Sequence, residues 1–240
     1  MMDNQITSLS KLISVVRECK ERIPEIWYRG QGNGNYKLCP SLLRYPNGLE
    51  NERKIFETYR KFAQKLQPSH KNEWELLIDM QHYFVPTRIL DWSESLGIAL
   101  FFAVTNHRNG EDAGLFILDP IALNAKSGKQ GIPCMPDNSM NLFYEKSYLN
   151  KDPYPAPHPI AIKSNYLNDR VMAQRGMFTI HNDSNNGIEE KYPDVVGKYI
   201  ITEKALPEIQ EFLEMANINV STVFPDFYGV ANYITESLGI

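Results

Sequence analysis

Apolar positions recur at helical spacing through the first part of this 240-residue chain and as short β-type runs in the rest. Leu9, Leu12, Ile13 and Val16 share one face and predict a first helix, capped by Thr7 or Ser8 and ended by Pro24. A short strand is expected at Ile26–Arg29, then a turn through Gly32–Asn35 and an extended Tyr36–Leu42 broken by Pro40. Ile55, Tyr59, Phe62, Ala63 and Leu66 form a helical stripe that predicts a second helix over Leu49–Leu66. Its opposite side, Glu52, Lys54, Glu57, Arg60 and Lys61, reads as a solvated face. A third helix, about Lys71–Tyr83, turns Trp74, Leu77, Ile78 and Gln81 to one side.

Val85–Leu90 is expected to be extended, and Ser93 to cap a fourth helix, Glu94–Thr105. The ALFFAV centre of that helix is apolar all round, the mark of a buried helix. Four β-type runs follow: Gly114–Leu118, Ile160–Lys163, Met177–His181 and Lys198–Thr202. Ser127–Pro159, rich in Pro, Asn and Gly, reads as a long loop, and Leu206–Ala216 as a last amphipathic helix. No repeat or Gly/Ser linker divides the chain. The pattern predicts one α+β domain over residues 1–240, its core from about residue 20 to about residue 235, helices mostly early and strands mostly late.

Composition narrows the function classes. A net charge of −4 gives no global basic field, so a nucleic-acid partner would need a local basic cleft. Cys19, Cys39 and Cys134 have neither a metal spacing nor a disulfide framework, and the beginning of the sequence has no apolar signal core. A cytoplasmic protein without a membrane association is expected. Walker, GxSxG, HExxH and GxGxxG patterns are missing, and the five histidines are too scattered for a metal site.

Three patches carry candidate chemistry. In WYRGQ, Trp27–Gln31, an arginine beside a glycine can present a planar fork to phosphate or carboxylate; a salt bridge fixing the strand end explains Arg29 equally well. The run Gln81–Ser95 concentrates His82, Thr87, Arg88, Asp91, Trp92 and Ser93, although Arg88 and Asp91 can pair with each other and Asp91 or Ser93 can simply cap the next helix. In the third patch, Arg170–His181, Gln174 precedes a glycine-containing β-run and can donate or accept a hydrogen bond but not take a proton; as a turn residue it would merely satisfy backbone groups.

Taken together, these patches resemble the FRG domain family. The aromatic-Arg-Gly motif is Tyr28-Arg29-Gly30, the YxLxPSLxR segment is Tyr36–Arg44, and the QHY–PTRLLDW signature is QHYFVPTRILDWS, with Phe84 where glycine is common. ALFFAV, the QxGxFT segment Gln174–Thr179 and FPDFYG, Phe224–Gly229, complete the match. The resemblance implies an ADP-ribosyltransferase-like fold with a mixed, mostly antiparallel, split β-sheet. It also implies NAD as co-substrate, a nucleic-acid or protein acceptor, and a toxin or phage-defence setting with an antitoxin or other partner protein.

By order along the chain, the resemblance maps Arg29 to the first catalytic element, Thr87–Ser93 to the second and Gln174 to the third. Since Gln174 cannot take a proton, His82 or Asp91 would accept the acceptor's proton, or the acceptor would be a base-ring nitrogen or amine that attacks as a neutral group. Tyr28, Arg29, Gln31, Thr87, Arg88, Trp92 and Ser93 would contact NAD, with Tyr28 or Trp92 stacking on a ring. Two other readings stay open. One is a non-catalytic nucleic-acid or protein-binding module using Arg29, Arg44, Arg88 and Arg175, with Tyr83 and Trp92 as stacking platforms. The other is a metal-independent nuclease built on His82, Arg88 and Asp91.

Overall fold

Ser8 starts the first long element: its side chain accepts from the Lys11 N–H, and α1 (Leu9–Arg22) follows the short strand β1 (Gln5–Ile6). The computed structural model describes residues 4–66, 72–108, 110–135, 143–152, 158–165 and 168–239. After α1 come β2 (Trp27–Gln31), α2 (Ser41–Arg44), α3 (Gly48–Leu66), α4 (Glu73–His82), β3 (Ile89–Ser93), α5 (Leu96–Thr105) and β4 (Ala113–Leu118). The remainder holds α6 (Pro120–Lys126), β5 (Cys134–Met135), β6 (Ile160–Ser164), α7 (Asp169–Ala173), β7 (Gly176–Ile180), α8 (Ile188–Lys191), β8 (Val196–Ile201), α9 (Leu206–Met215), α10 (Val220–Val223) and α11 (Phe227–Leu238).

The strands form one mixed sheet in the order β1-β8-β4-β2-β3-β7-β6-β5. The β1–β8 and β5–β6 pairs are parallel and the others antiparallel, which bears out an α+β class with a mixed, mostly antiparallel sheet. Pairing is uneven at the centre. β2 runs beside β4 from Trp27↔Leu118 to Gln31↔Gly114, and β3 beside β7 from Ile89↔Ile180 to Ser93↔Gly176. Between β2 and β3 a single register pair, Tyr28↔Ser93, holds the halves together. The sheet is therefore split at this seam.

Period-two alternation sends neighbouring strand residues into different cores. Tyr28, Leu115 and Ile117 pack with α1, α5 and α9 on one side of the seam. Ile89, Phe178 and Ile180 pack with α4, Phe56 of α3, Tyr144 and Tyr148 on the other. Trp27, Leu90, Trp92, Phe116 and Met177 take the alternate positions and build a third cluster. Close approach of α5 to β2 explains the glycine of the Tyr-Arg-Gly motif: a methyl on Gly30 would lie 1.7 Å from the Ala99 carbonyl oxygen.

Several expectations need correction. Helices are not gathered early; α6 to α11 all follow residue 119, while three strands precede residue 94. The extended run after α4 lies three to four residues later than periodicity placed it, because Asp91, Trp92 and Ser93 pair with β7. Ser93 thus ends a strand, and Ser95 occupies the N-cap of α5. Glu52 is not on a solvated face but is buried, and Phe62 and Leu66 are exposed, so α3 docks through its first half. Within Ser127–Pro159 the described residues include β5 and a π-helical turn, Glu145–Leu149; residues 136–142 and 153–157 of that expected loop lie outside the described residues. No helix among the described residues is long and apolar enough to cross a membrane.

Candidate functional site

A cavity of about 420 Å³ opens where β2 and β3 part. Its volume is in the range of small-molecule sites. One wall comes from β2 and α5 (Arg29, Gly30, Gln31, Ile98, Ala99, Phe102), and another from α4 and β3 (Ile78, Gln81, His82, Asp91, Trp92, Ser93). α7 and β7 add Arg170, Val171, Gln174, Gly176 and Phe178, and Tyr36, Arg44, Phe84 and Phe224 also line it. Residues 29, 91 and 174, widely separated along the chain, therefore share one cavity.

Arg29 bridges the seam. Its Nη1 donates to the Asp91 backbone carbonyl at 2.6 Å and lies 3.9 Å from Asp91 Oδ2. A side chain thereby replaces ladder bonds that β2 and β3 do not form. Its Nε is buried without a protein partner, a donor that a ligand could satisfy. Burial pushes the Arg29 guanidinium below its ordinary value; Asp91 opposes this and Arg44 adds to it. The group stays cationic, since arginine holds its charge in proteins.

Asp91 is the only carboxylate lining the cavity among the described residues. Nearly half of its side chain (47 %) borders open space, yet protein surrounds the site. Desolvation raises its pKa above the usual carboxylate value, outweighing Arg29 and the hydrogen bond from Gln81, which both lower it. Gln81 Nε2 donates to Asp91 Oδ2 at 2.6 Å.

Opposite, Gln174 occupies the C-cap of α7. Its Nε2 donates to the Val223 carbonyl at 3.2 Å, and its own carbonyl accepts from Ser93 Oγ at 2.7 Å. Arg170 is held by Asp226 at 2.7 Å and lies over the Phe224 ring at 4.8 Å. His82 lines the cavity with its ring stacked on Tyr83, 4.5 Å between centroids. Phe84 adopts a left-handed φ of +60°, a backbone conformation that favours glycine.

Of the residues singled out from sequence, Tyr28, Arg29, Gln31, His82, Asp91, Trp92, Ser93 and Gln174 all line the cavity. Tyr28 and Trp92 each show only 2 % of their surface, and the Trp92 Nε1 is tied to Thr179 Oγ1 at 3.0 Å; the exposed rings at the cavity are Tyr36 and Phe84. Thr87 and Arg88 do not line it. Arg88 instead points inward to Glu52, and Thr87 is buried against Gln81. The four arginines Arg29, Arg44, Arg88 and Arg175 do not gather: the first two reach the cavity, Arg88 is fully enclosed, and Arg175 is exposed elsewhere. Arg88 and Asp91 do not pair with each other, since Glu52 and Arg29 are their respective partners.

Tyr36, Arg44, Arg170 and Phe224 also line the cavity, outside the residues that the resemblance assigns to NAD. Tyr36 and Arg44 lie in the YKLCPSLLR segment and Phe224 in FPDFYG, a signal in the sequence that points to all three. Among the described residues, no group of three or more His, Cys, Asp or Glu side chains is placed to hold a metal ion.

Compared with known families, residues 24–112 match the model described as FRG domain. No curated protein and no solved structure matches the chain.

Proposed function

We propose, from the premise that the chain carries an FRG domain, that it is an NAD-dependent ADP-ribosyltransferase-like enzyme acting on a nucleic-acid or protein acceptor. The observation that carries this reading is the convergence of Arg29, Asp91 and Gln174 on one nucleotide-sized cavity at the β2–β3 seam. The unpartnered Arg29 Nε and the Gln31 Oε1, also buried without a partner, fit a polar ligand better than an apolar one.

In this reading NAD supplies an activated glycosidic bond whose leaving group departs as neutral nicotinamide. Arg29, fixed by the Asp91 carbonyl, directs its remaining donors to the diphosphate or ribose oxygens. Gln174 holds a ribose hydroxyl or the acceptor through its carboxamide, without taking a proton. Asp91 removes the proton from the acceptor as the new bond to the ribose carbon forms and the old bond's electron pair leaves with nicotinamide. A pKa raised above that of an ordinary carboxylate makes Asp91 a stronger base. Positioning and electrostatics do most of the work, because positive charge develops on the ribose in the transition state.

The test is nicotinamide release from NAD with protein, DNA and RNA acceptors offered in turn. Wild type is expected to release nicotinamide, and Arg29→Ala to release none while its circular dichroism is unchanged. Full turnover in Arg29→Ala would overturn the assignment. Salt-sensitive nucleic-acid binding that ignores NAD, with no turnover, would establish the binding-module reading instead.

A further inference from the structure

Thr87 and Gln81 form a hydrogen-bonded chain that ends on Asp91. The Ile89 N–H donates to Thr87 Oγ1 at 3.3 Å, so the threonine's own proton is directed elsewhere. It goes to Gln81 Oε1, at 2.5 Å. That contact fixes which end of the carboxamide is oxygen, and the opposite end, Nε2, is left to donate to Asp91 Oδ2 at 2.6 Å. Thr87 is 1 % exposed, so no water competes for its hydroxyl. Gln81 lies on α4 and Asp91 on β3; the chain therefore ties the orientation of a cavity carboxylate to two different elements of the fold.

We propose that Gln81 and Thr87 are positioning residues, a relay that holds Asp91 ionised and in one orientation for proton abstraction from the acceptor. The proposal rests on the transferase reading for its catalytic meaning, but not for its geometry. If Thr87 could not donate, the Gln81 carboxamide could turn over and present oxygen to the carboxylate, replacing an attraction with a repulsion. The phenols of Tyr28 and Tyr36 face this space, and so do four other charged or titratable groups: Arg29 on β2, which stays in every variant, His82 at the end of α4, Arg44 at the end of α2 and Arg170 on α7. None of these four hydrogen-bonds the Asp91 carboxylate directly, so Gln81 is the neutral donor whose loss Asp91 should report.

The experiment is a carbon-detected NMR titration of the Asp91 carboxyl in the full chain, run on wild type, Gln81→Leu, Thr87→Val and Thr87→Ser. Gln81→Leu and Thr87→Val are expected to raise the Asp91 midpoint, and Thr87→Ser, which keeps the hydroxyl, to restore it. Thr87→Val is isosteric and serves if the leucine variant does not fold. An unchanged midpoint in a folded Gln81→Leu or Thr87→Val protein would overturn the relay. Where nicotinamide release is measurable, the same two variants should lower kcat about 10- to 100-fold, leave KM nearly unchanged and move the acidic limb of the pH profile upward. A shifted Asp91 titration with no nicotinamide release in wild type would uphold the relay and defeat the transferase reading.

Discussion

Arg88 and Glu52 meet in the interior of the protein as a two-point ion pair: Arg88 Nε donates to Glu52 Oε1 at 2.5 Å, and Nη2 to Oε2. Tyr144 adds a hydroxyl to the same carboxylate at 2.9 Å, and the Arg88 guanidinium sits over the Tyr148 ring at 4.9 Å. Its third branch, Nη1, donates to the His181 carbonyl at 2.8 Å. One arginine thus ties α3, β3, the end of β7 and the Tyr144–Tyr148 segment into a single core.

Removing one partner should therefore destabilise strongly. Glu52→Ala removes the two-point partner of an enclosed guanidinium and leaves it Asp183, 3.5 Å from Nη1, and a loss of about 3–5 kcal/mol is expected in urea unfolding. The double variant Glu52→Leu/Arg88→Met should lose less than Glu52→Ala alone, because it leaves no buried charge. Equal losses in the two would show that the pair matters through packing rather than charge.

His181 sets an acid limit on stability. Burial, reinforced by the cations Arg88 and Arg29, pushes its pKa down to about 3, and its ring shares a 2.9 Å hydrogen bond with Thr179. An unfolded histidine titrates near 6.5. The unfolded chain therefore binds a proton that the folded one refuses throughout the interval between. Stability from this group is complete above about pH 6.5 and declines as pH falls towards 3, by up to about 1.4 kcal/mol per pH unit. Urea midpoints taken from pH 7 to pH 4 should fall less steeply in His181→Gln than in wild type; parallel curves would remove His181 as the cause.

Phe84 should be one of the few places where a smaller residue stabilises. Its φ of +60° is unfavourable for any side chain with a Cβ, and its ring is 75 % exposed, with the Arg170 guanidinium 5.8 Å away. Phe84→Gly is expected to raise stability by about 1 kcal/mol in urea unfolding. A loss of that size would mean that the ring's contact with Arg170 outweighs the backbone strain.

Local pattern alone revealed much of this protein: the amphipathic α1, the wholly apolar α5, the short β-type runs of the sheet, and the motifs that put Arg29, Asp91 and Gln174 forward. These follow from periodicity and side-chain type, which act over a few residues. What tertiary structure decided is which polar groups meet. Glu52 and Arg88 look like ordinary charged residues of a helix face and a loop until the fold encloses them 36 positions apart in sequence. Thr87, a candidate ligand contact in sequence, is turned away from the cavity and acts on Gln81 instead. The short α2, α7, α8 and α10 give too few residues for a periodic signal, and docking fixes them. The cavity itself exists because β2 and β3 share one register pair, and no run of sequence specifies how far two distant strands stay together. Hydrophobic period is a property of neighbours along the chain; enclosure, charge pairing and the seam are properties of segments that only the packed sheet brings side by side.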